Sequence, residues 1–212
     1  MRVFVSLSDM NYKEIVDAIN QYENAELRLD LLDLTDEEYE NIIENYKSLI
    51  VTCRKTEENK NKRIGYLLSA IENNVDFVDI DILSEKNVIK SLKKNINKSD
   101  TELIISFHDY NSTPKNIYLE KIIKKAYRLG ADLVKIATKI NNRKDLIRLV
   151  SLATDENVIP VGMSDMGKIS RIVASLIEVP VVYTSLEGKE TAEGQINYSK
   201  LQNILEGIKE IE

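Results

Sequence analysis

The chain has 212 residues, a formal net charge of −6, one histidine, one cysteine and no tryptophan. One cysteine excludes an internal disulfide and a cysteine-built zinc site, and a lone histidine leaves no His-rich metal site, so no metal or cofactor is expected. The acidic balance and scattered basic residues speak against a nucleic-acid partner. No signal-peptide pattern and no apolar run of roughly 18 residues is visible, which points to a cytoplasmic protein without a membrane span.

Strand-like apolar runs alternate with amphipathic helical patterns along the whole chain. Strands are expected at about 2–6, 25–31, 48–54, 76–82, 102–107, 132–136, 157–161 and 180–184. Between them, Thr35-Asp36-Glu37-Glu38 reads as a capping box, followed by Tyr39, Ile42, Ile43 and Tyr46 at helical spacing. Leu119, Ile122, Ile123 and Ala126 form another apolar stripe, and Ile169, Ile172, Val173 and Leu176 a third. A last helix near 197–210 carries Leu201, Ile204, Leu205 and Ile208. Eight strands with helices between them, at a spacing of roughly 26 residues, predict an α/β fold of the (β/α)8 TIM-barrel type, a single domain over residues 1–212. A doubly wound open sheet is the alternative. It calls for a glycine-rich phosphate loop after the first strand, and Ser6-Leu7-Ser8-Asp9-Met10 has no glycine.

Side chains alternate along a strand, so i, i+2 and i+4 share a face. In the second strand Glu26, Arg28 and Asp30 fall on one face and Leu27, Leu29 and Leu31 on the other, where they should pack under helices. Thr52 and Arg54, Asp79 and Asp81, Ser106 and His108, and Leu133 and Lys135 repeat the pattern in the next four strands. Five consecutive strands therefore aim polar groups at one interior, where a purely structural barrel uses Val, Ile and Leu. A structural ion network is the plain reading of Glu26, Arg28 and Asp30, and Cys53 reads as a small buried hydrophobe. Barrel active sites lie at strand C-terminal ends, which singles out Arg54, Asp81, His108 and Lys135.

Lys135 ends a short apolar run, where an ammonium is costly unless used. Desolvation or nearby positive charge frees such an amine as a nucleophile toward carbonyls. His108, one strand earlier, is the one imidazole able to move a proton near neutral pH. The amine has no evident partner in the sequence, which suggests that alanine at 135 would not harm the fold. Gly162-Met163-Ser164-Asp165-Met166-Gly167-Lys168 leads from the seventh strand into a helix whose start could hold an anion, with Arg171 placed to pair with a carboxylate. Gly188–Gln195 has the glycines and polar side chains of a mobile lid.

Glu26-Leu27-Arg28-Leu29-Asp30, Thr52-Cys53-Arg54 with Glu58, Ser106-Phe107-His108-Asp109-Tyr110, Thr113-Pro114, Gly130 to Ala137, Met163-Ser164 with Gly167 and Ser170-Arg171, and Gly194-Gln195 follow one another in a familiar order. In this ordered set the chain resembles the type I 3-dehydroquinate dehydratases, the Schiff-base-forming dehydratases of the shikimate pathway. The resemblance implies a (β/α)8 barrel that dehydrates 3-dehydroquinate to 3-dehydroshikimate without a cofactor. It implies that Lys135 forms an imine with the C3 ketone and that His108 removes the C2 proton and protonates the departing C1 hydroxyl. It further implies that Glu58 pairs with and tunes the histidine, and that Arg171 holds the substrate carboxylate. Glu26, Arg28 and Arg54 would hold the ring hydroxyls, with Thr191 and Gln195 closing over the substrate. Members of this family are often homodimers. The chain departs from the family in having Asn59 and Lys60 where two glycines often follow the glutamate, Thr191 where serine is common, and Asp81 where a longer glutamate is often seen.

Two other readings compete. A class I aldolase would also use a lysine imine, but would prefer a phosphate cradle after strands seven and eight. A non-catalytic metabolite-binding barrel has no need of both Lys135 and His108.

Overall fold

In the computed structural model, which describes residues 1–57, 59, 62–190 and 193–210, strands and helices alternate from end to end. The strands are β1 Arg2–Leu7, β2 Ala25–Arg28, β3 Leu49–Thr52, β4 Phe77–Asp81, β5 Glu102–Asp109, β6 Leu133–Lys139, β7 Val158–Met163 and β8 Val181–Ser185. The helices are α1 Tyr12–Tyr22, α2 Asp36–Asn45, α3 Arg63–Glu72, α4 Lys86–Ile96, α5 Asn116–Leu129, α6 Arg143–Val150, α7 Lys168–Leu176 and α8 Tyr198–Lys209. All ladders are parallel, in the order β7-β6-β5-β4-β3-β2-β1-β8. The sheet is a nearly closed (β/α)8 barrel, not the doubly wound alternative. Its two ends, β7 and β8, face one another with no ladder bond among the described residues.

Two apolar layers hold it. Phe4, Ile50, Phe77, Ile104, Leu133, Ile159 and Val181 fill the barrel below the polar mouth. Outside the strands, residues such as Leu27, Val51, Val78, Ile105 and Val134 pack under the helices. The period-2 pattern thus produces two cores from one sheet, one on each side. The capping box at Thr35 forms as the sequence predicts: its hydroxyl accepts from the Glu38 N–H and the Glu38 carboxylate accepts from the Thr35 N–H.

Two expectations change. β2 ends at Arg28, where the Leu31 N–H turns back to the Arg28 carbonyl at 2.7 Å. Leu27 is fully buried, but Leu29 is only half-buried and Leu31 is 38% exposed. On α7 the apolar stripe faces inward only in part: Ile172 packs against the core and Val173 is half-buried, but Ile169 and Leu176 are 45% and 49% exposed, while Ser170, Arg171, Ala174 and Ser175 are buried. The cause is close packing against β7. A Cβ on Gly167 would lie 2.4 Å from the Gly162 carbonyl carbon, so only small or hydrogen-bonding residues fit that face. Ser170 Oγ accepts the Gly162 N–H at 2.8 Å and donates to the Gly167 carbonyl at 2.7 Å.

Candidate active site

Ladder register builds the centre of the mouth. Ser6 lies beside Glu26, Arg28 beside Thr52, Thr52 beside Asp79, Asp81 beside Ser106, and Ser106 beside Lys135. The Lys135 amine, 5% exposed, reaches Glu26 Oε1 and Asp79 Oδ2, each at 3.4 Å, and sits 3.6 Å over the Tyr183 ring centroid. Charge-assisted N–H···O bonds run about 2.7–2.9 Å, so the amine is confined without being tightly bonded. Its carboxylate neighbours are held from the other side. Glu26 accepts from Ser6 at 2.6 Å and Thr52 at 3.0 Å, and Asp79 accepts from Ser106 at 2.5 Å. Burial pushes the Glu26 pKa up, but Lys135, Arg28, the Ser6 hydroxyl and Arg54 outweigh it and bring it down to about 2. Arg28 is locked onto Asp30 by bonds of 3.1 and 2.7 Å.

His108 stands at the end of β5. Its Nδ1 lies 3.0 Å from Asp81 Oδ2, and its Nε2 lies 2.7 Å from Arg54 Nη2. Arg54 Nη1 also bonds the Tyr110 hydroxyl, and the Tyr110 ring stacks on the imidazole at 6.1 Å between centroids. Burial lowers the His108 pKa; the Asp81 hydrogen bond raises it, and Arg54 and Lys135 lower it. The net shift is downward, so the imidazole is neutral near pH 7 and available as a base. Cys53, nearby, is pushed up by burial to about 12 and is inert as a nucleophile.

Arg171 is 3% exposed and spans the β7/β8 seam. Its Nε donates to the Tyr183 carbonyl of β8 at 3.1 Å, and its Nη1 to the carbonyls of Gly162 in β7 and Gly194 at 2.7 and 2.8 Å. No carboxylate pairs with it among the described residues, and burial drives its pKa down to about 10. An uncompensated buried cation calls for an anion. Gly194, at φ +83°, would place a Cβ 2.1 Å from the Ser164 carbonyl, so glycine is required where the β8–α8 loop returns over the mouth.

Glu26, Arg28, Arg54, His108, Lys135, Arg171 and Gln195 line one cavity. Glu58 and Thr191 lie outside the described residues. The histidine's partner seen here is Asp81, the position at which the family resemblance marks a departure. Sequence reasoning missed Tyr183, and it gave no role to Tyr110 or Met163 of the quoted motifs; all three line the same cavity. Strand eight is apolar through Tyr183, so alternation gave no charged residue to mark its inward face. Among the described residues no three His, Cys, Asp or Glu side chains gather as a metal cage would need.

Fold and cavity together define a (β/α)8-barrel enzyme whose mouth is organised around a buried lysine. Residues 3–212 match the profile of the Type I 3-dehydroquinase family, and the chain belongs to that family. A 3-dehydroquinate dehydratase from Methanococcus maripaludis strain C7 is 33% identical over 92% of this chain and 96% of its own length. The crystal structure of the 3-dehydroquinate dehydratase from Aquifex aeolicus VF5 superposes with a TM-score of 0.78 at 28% identity, covering 100% of this chain and 99% of that one. A type I 3-dehydroquinate dehydratase from Clostridium difficile, solved with covalently modified comenic acid, shares the fold at a TM-score of 0.83 and 22% identity, covering 100% and 93%.

Proposed function

We infer that this protein is a hydro-lyase that dehydrates 3-dehydroquinate to 3-dehydroshikimate, a step of the shikimate pathway toward aromatic amino acids. Family membership supports the reaction and sets aside the aldolase and binding-barrel readings. One observation carries the assignment of residues: a buried lysine, a neutral histidine and an arginine without a carboxylate partner among the described residues line the same cavity.

Lys135 attacks the C3 ketone and, with loss of water, forms an iminium. The iminium withdraws electrons and acidifies the C2–H bond. His108 accepts that proton at Nε2, and the C2 electron pair forms the double bond as the C1–O bond breaks. The departing hydroxyl takes the proton from His108 and leaves as water. Hydrolysis then frees the product and restores the amine. Arg171 turns its Nη2 to the substrate carboxylate. Glu26, Arg28 and Arg54 hold the ring hydroxyls, and Gln195 closes over the ring with Thr191. Glu58 tunes the histidine.

The catalytic domain spans residues 1–212 and works in the cytoplasm, and a homodimer is the assembly the family resemblance suggests. Among the described residues, no helix is long and apolar enough to cross a membrane. Borohydride reduction with 3-dehydroquinate, followed by intact and peptide mass, tests the reading. The expected result is one reduced adduct on Lys135. An active enzyme that yields no adduct would overturn the imine.

A further inference from the structure

We propose that Asp81 is a positioning residue for the dehydration: it fixes His108 in the tautomer whose bare Nε2 faces the substrate. The inference rests on His108 being the base.

Asp81 is the last residue of β4, and both of its carboxylate oxygens are engaged. Oδ1 accepts the Leu83 N–H at 2.8 Å, and Oδ2 lies 3.0 Å from His108 Nδ1. Burial pushes its pKa up, but His108, the Leu83 N–H and Arg54 outweigh that and hold it below the usual carboxylate range. An ionised carboxylate only accepts, so Nδ1 must carry the hydrogen. On the other side of the ring, Arg54 Nη2 only donates, so Nε2 must be bare. Asp81 at the end of β4 and Arg54 just beyond β3 thus impose the same tautomer, and that tautomer is the one a base needs.

Asp81, on the Nδ1 side of the ring, is open to water. Asp81, His108 and Arg54 border a second cavity of about 480 Å³, shared with Arg63, Ser84 and Cys53, and the Asp81 side chain is 30% exposed. Without Asp81, water reaches Nδ1 and can either accept or donate there, so the tautomer is no longer fixed.

Asp81→Asn separates orientation from simple packing. The Leu83 N–H keeps the amide oxygen, which turns the NH₂ toward Nδ1. Nδ1 must then accept, and the ring hydrogen moves to Nε2, where it opposes Arg54 and blocks proton removal. Asp81→Ala admits water instead and leaves both tautomers open. The expected order of kcat is therefore wild type, then Ala, then Asn, with Asn down by at least about 100-fold and KM within about threefold. A packing role alone predicts the opposite order of Ala and Asn.

Among the described residues, His108 faces Asp81 and Asp79 of β4, Arg54 beyond β3, Lys135 of β6 and the Tyr110 ring. Removing the Asp81 charge lowers the histidine pKa, so in Asp81→Ala the acid limb of kcat/KM moves to lower pH. Steady-state pH profiles and borohydride trapping on folded wild type, Asp81→Ala and Asp81→Asn form the test. The adduct on Lys135 should persist in both variants. Should Asn fail to fold, an Ala variant losing at least about tenfold in kcat with its acid limb moved down still supports the proposal. Wild-type kcat in Asn, activity of Asn above Ala, or a loss with an unmoved acid limb overturns it. If wild type itself traps no adduct, the underlying imine reading fails instead.

Discussion

Arg54 Nη2 sits 2.7 Å from His108 Nε2, so the nitrogen that would act as base is covered by a guanidinium. A guanidinium cannot accept a proton, and it also lowers the imidazole pKa through its charge. On the proposed mechanism, Nε2 reaches the C2 proton only once Arg54 has exchanged the histidine for a substrate hydroxyl. On that reading, ligand binding and exposure of the base are one movement.

Arg54→Ala is expected to raise the His108 pKa, because a neighbouring positive charge is removed. The acid limb of kcat/KM should move to higher pH, opposite to the shift expected for Asp81→Ala. KM should rise as the hydroxyl contact is lost. Profiles of kcat and kcat/KM between pH 5 and 9 check both. An acid limb that stays in place would mean that the Arg54–His108 contact does not persist in solution.

His108→Ala should leave imine formation possible and stall proton transfer. General acid–base groups contribute about 10²–10⁴-fold, and no second imidazole exists to substitute. The expected finding is a covalent adduct that accumulates with 3-dehydroquinate even before reduction, seen by intact mass. Unimpaired turnover would remove His108 from the mechanism.

Lys135→Ala should abolish turnover, and it should also weaken the fold. Read from sequence, the amine looked unpaired and its removal harmless. The structure reverses the sign, because Glu26 and Asp79 are each 3% exposed and lose their shared cation. Breaking buried pairs in this way costs about 3–5 kcal/mol. The deficit should be largest near pH 7. In wild type, Glu26 keeps its charge down to about pH 2, whereas in the variant it takes up a proton at higher pH, so the difference shrinks as pH falls. Urea unfolding at pH 7 and pH 4 measures this. A variant as stable as wild type at pH 7 would show that the two 3.4 Å contacts carry no weight.

The strands and their inward charges were legible because alternation is local: Glu26, Arg28, Thr52, Asp79, Ser106 and Lys135 needed only a period of 2 to be placed on one face. The partner of His108 was not legible. Asp81 pairs with Ser106 in the ladder, and reaches His108 only because that side chain rises two residues further along β5. Nor was the inner face of α7. Ile169 and Leu176 carry the apolar signal, yet the helix buries Ser170, Arg171, Ala174 and Ser175, with Ser170 set against the close Gly162–Gly167 contact. Periodicity reports which residues are apolar, not how closely the next backbone approaches.

Arg171 clamps the barrel seam, and the proposed function gives the same side chain the substrate carboxylate. Three of its N–H groups replace the ladder missing between β7 and β8 and tie down Gly194, while Nη2 has no partner among the described residues. Arg171→Ala therefore leaves three backbone carbonyls without a donor and removes the cation from the cavity. Truncating one member of a desolvated pair costs about 2–5 kcal/mol, which corresponds to a fall in kcat/KM of at least about 30-fold. Unfilled buried carbonyls add a stability loss of about 1–3 kcal/mol each. Arg171→Lys keeps the charge but cannot span three carbonyls and a carboxylate at once. It should melt below wild type and show a raised KM, while the lysine adduct still forms. Thermal unfolding and steady-state kinetics on both variants, at one ionic strength, separate the two roles. A Lys variant with wild-type KM but a lowered Tm would leave Arg171 as the clamp of the barrel seam and place the carboxylate elsewhere in the mouth.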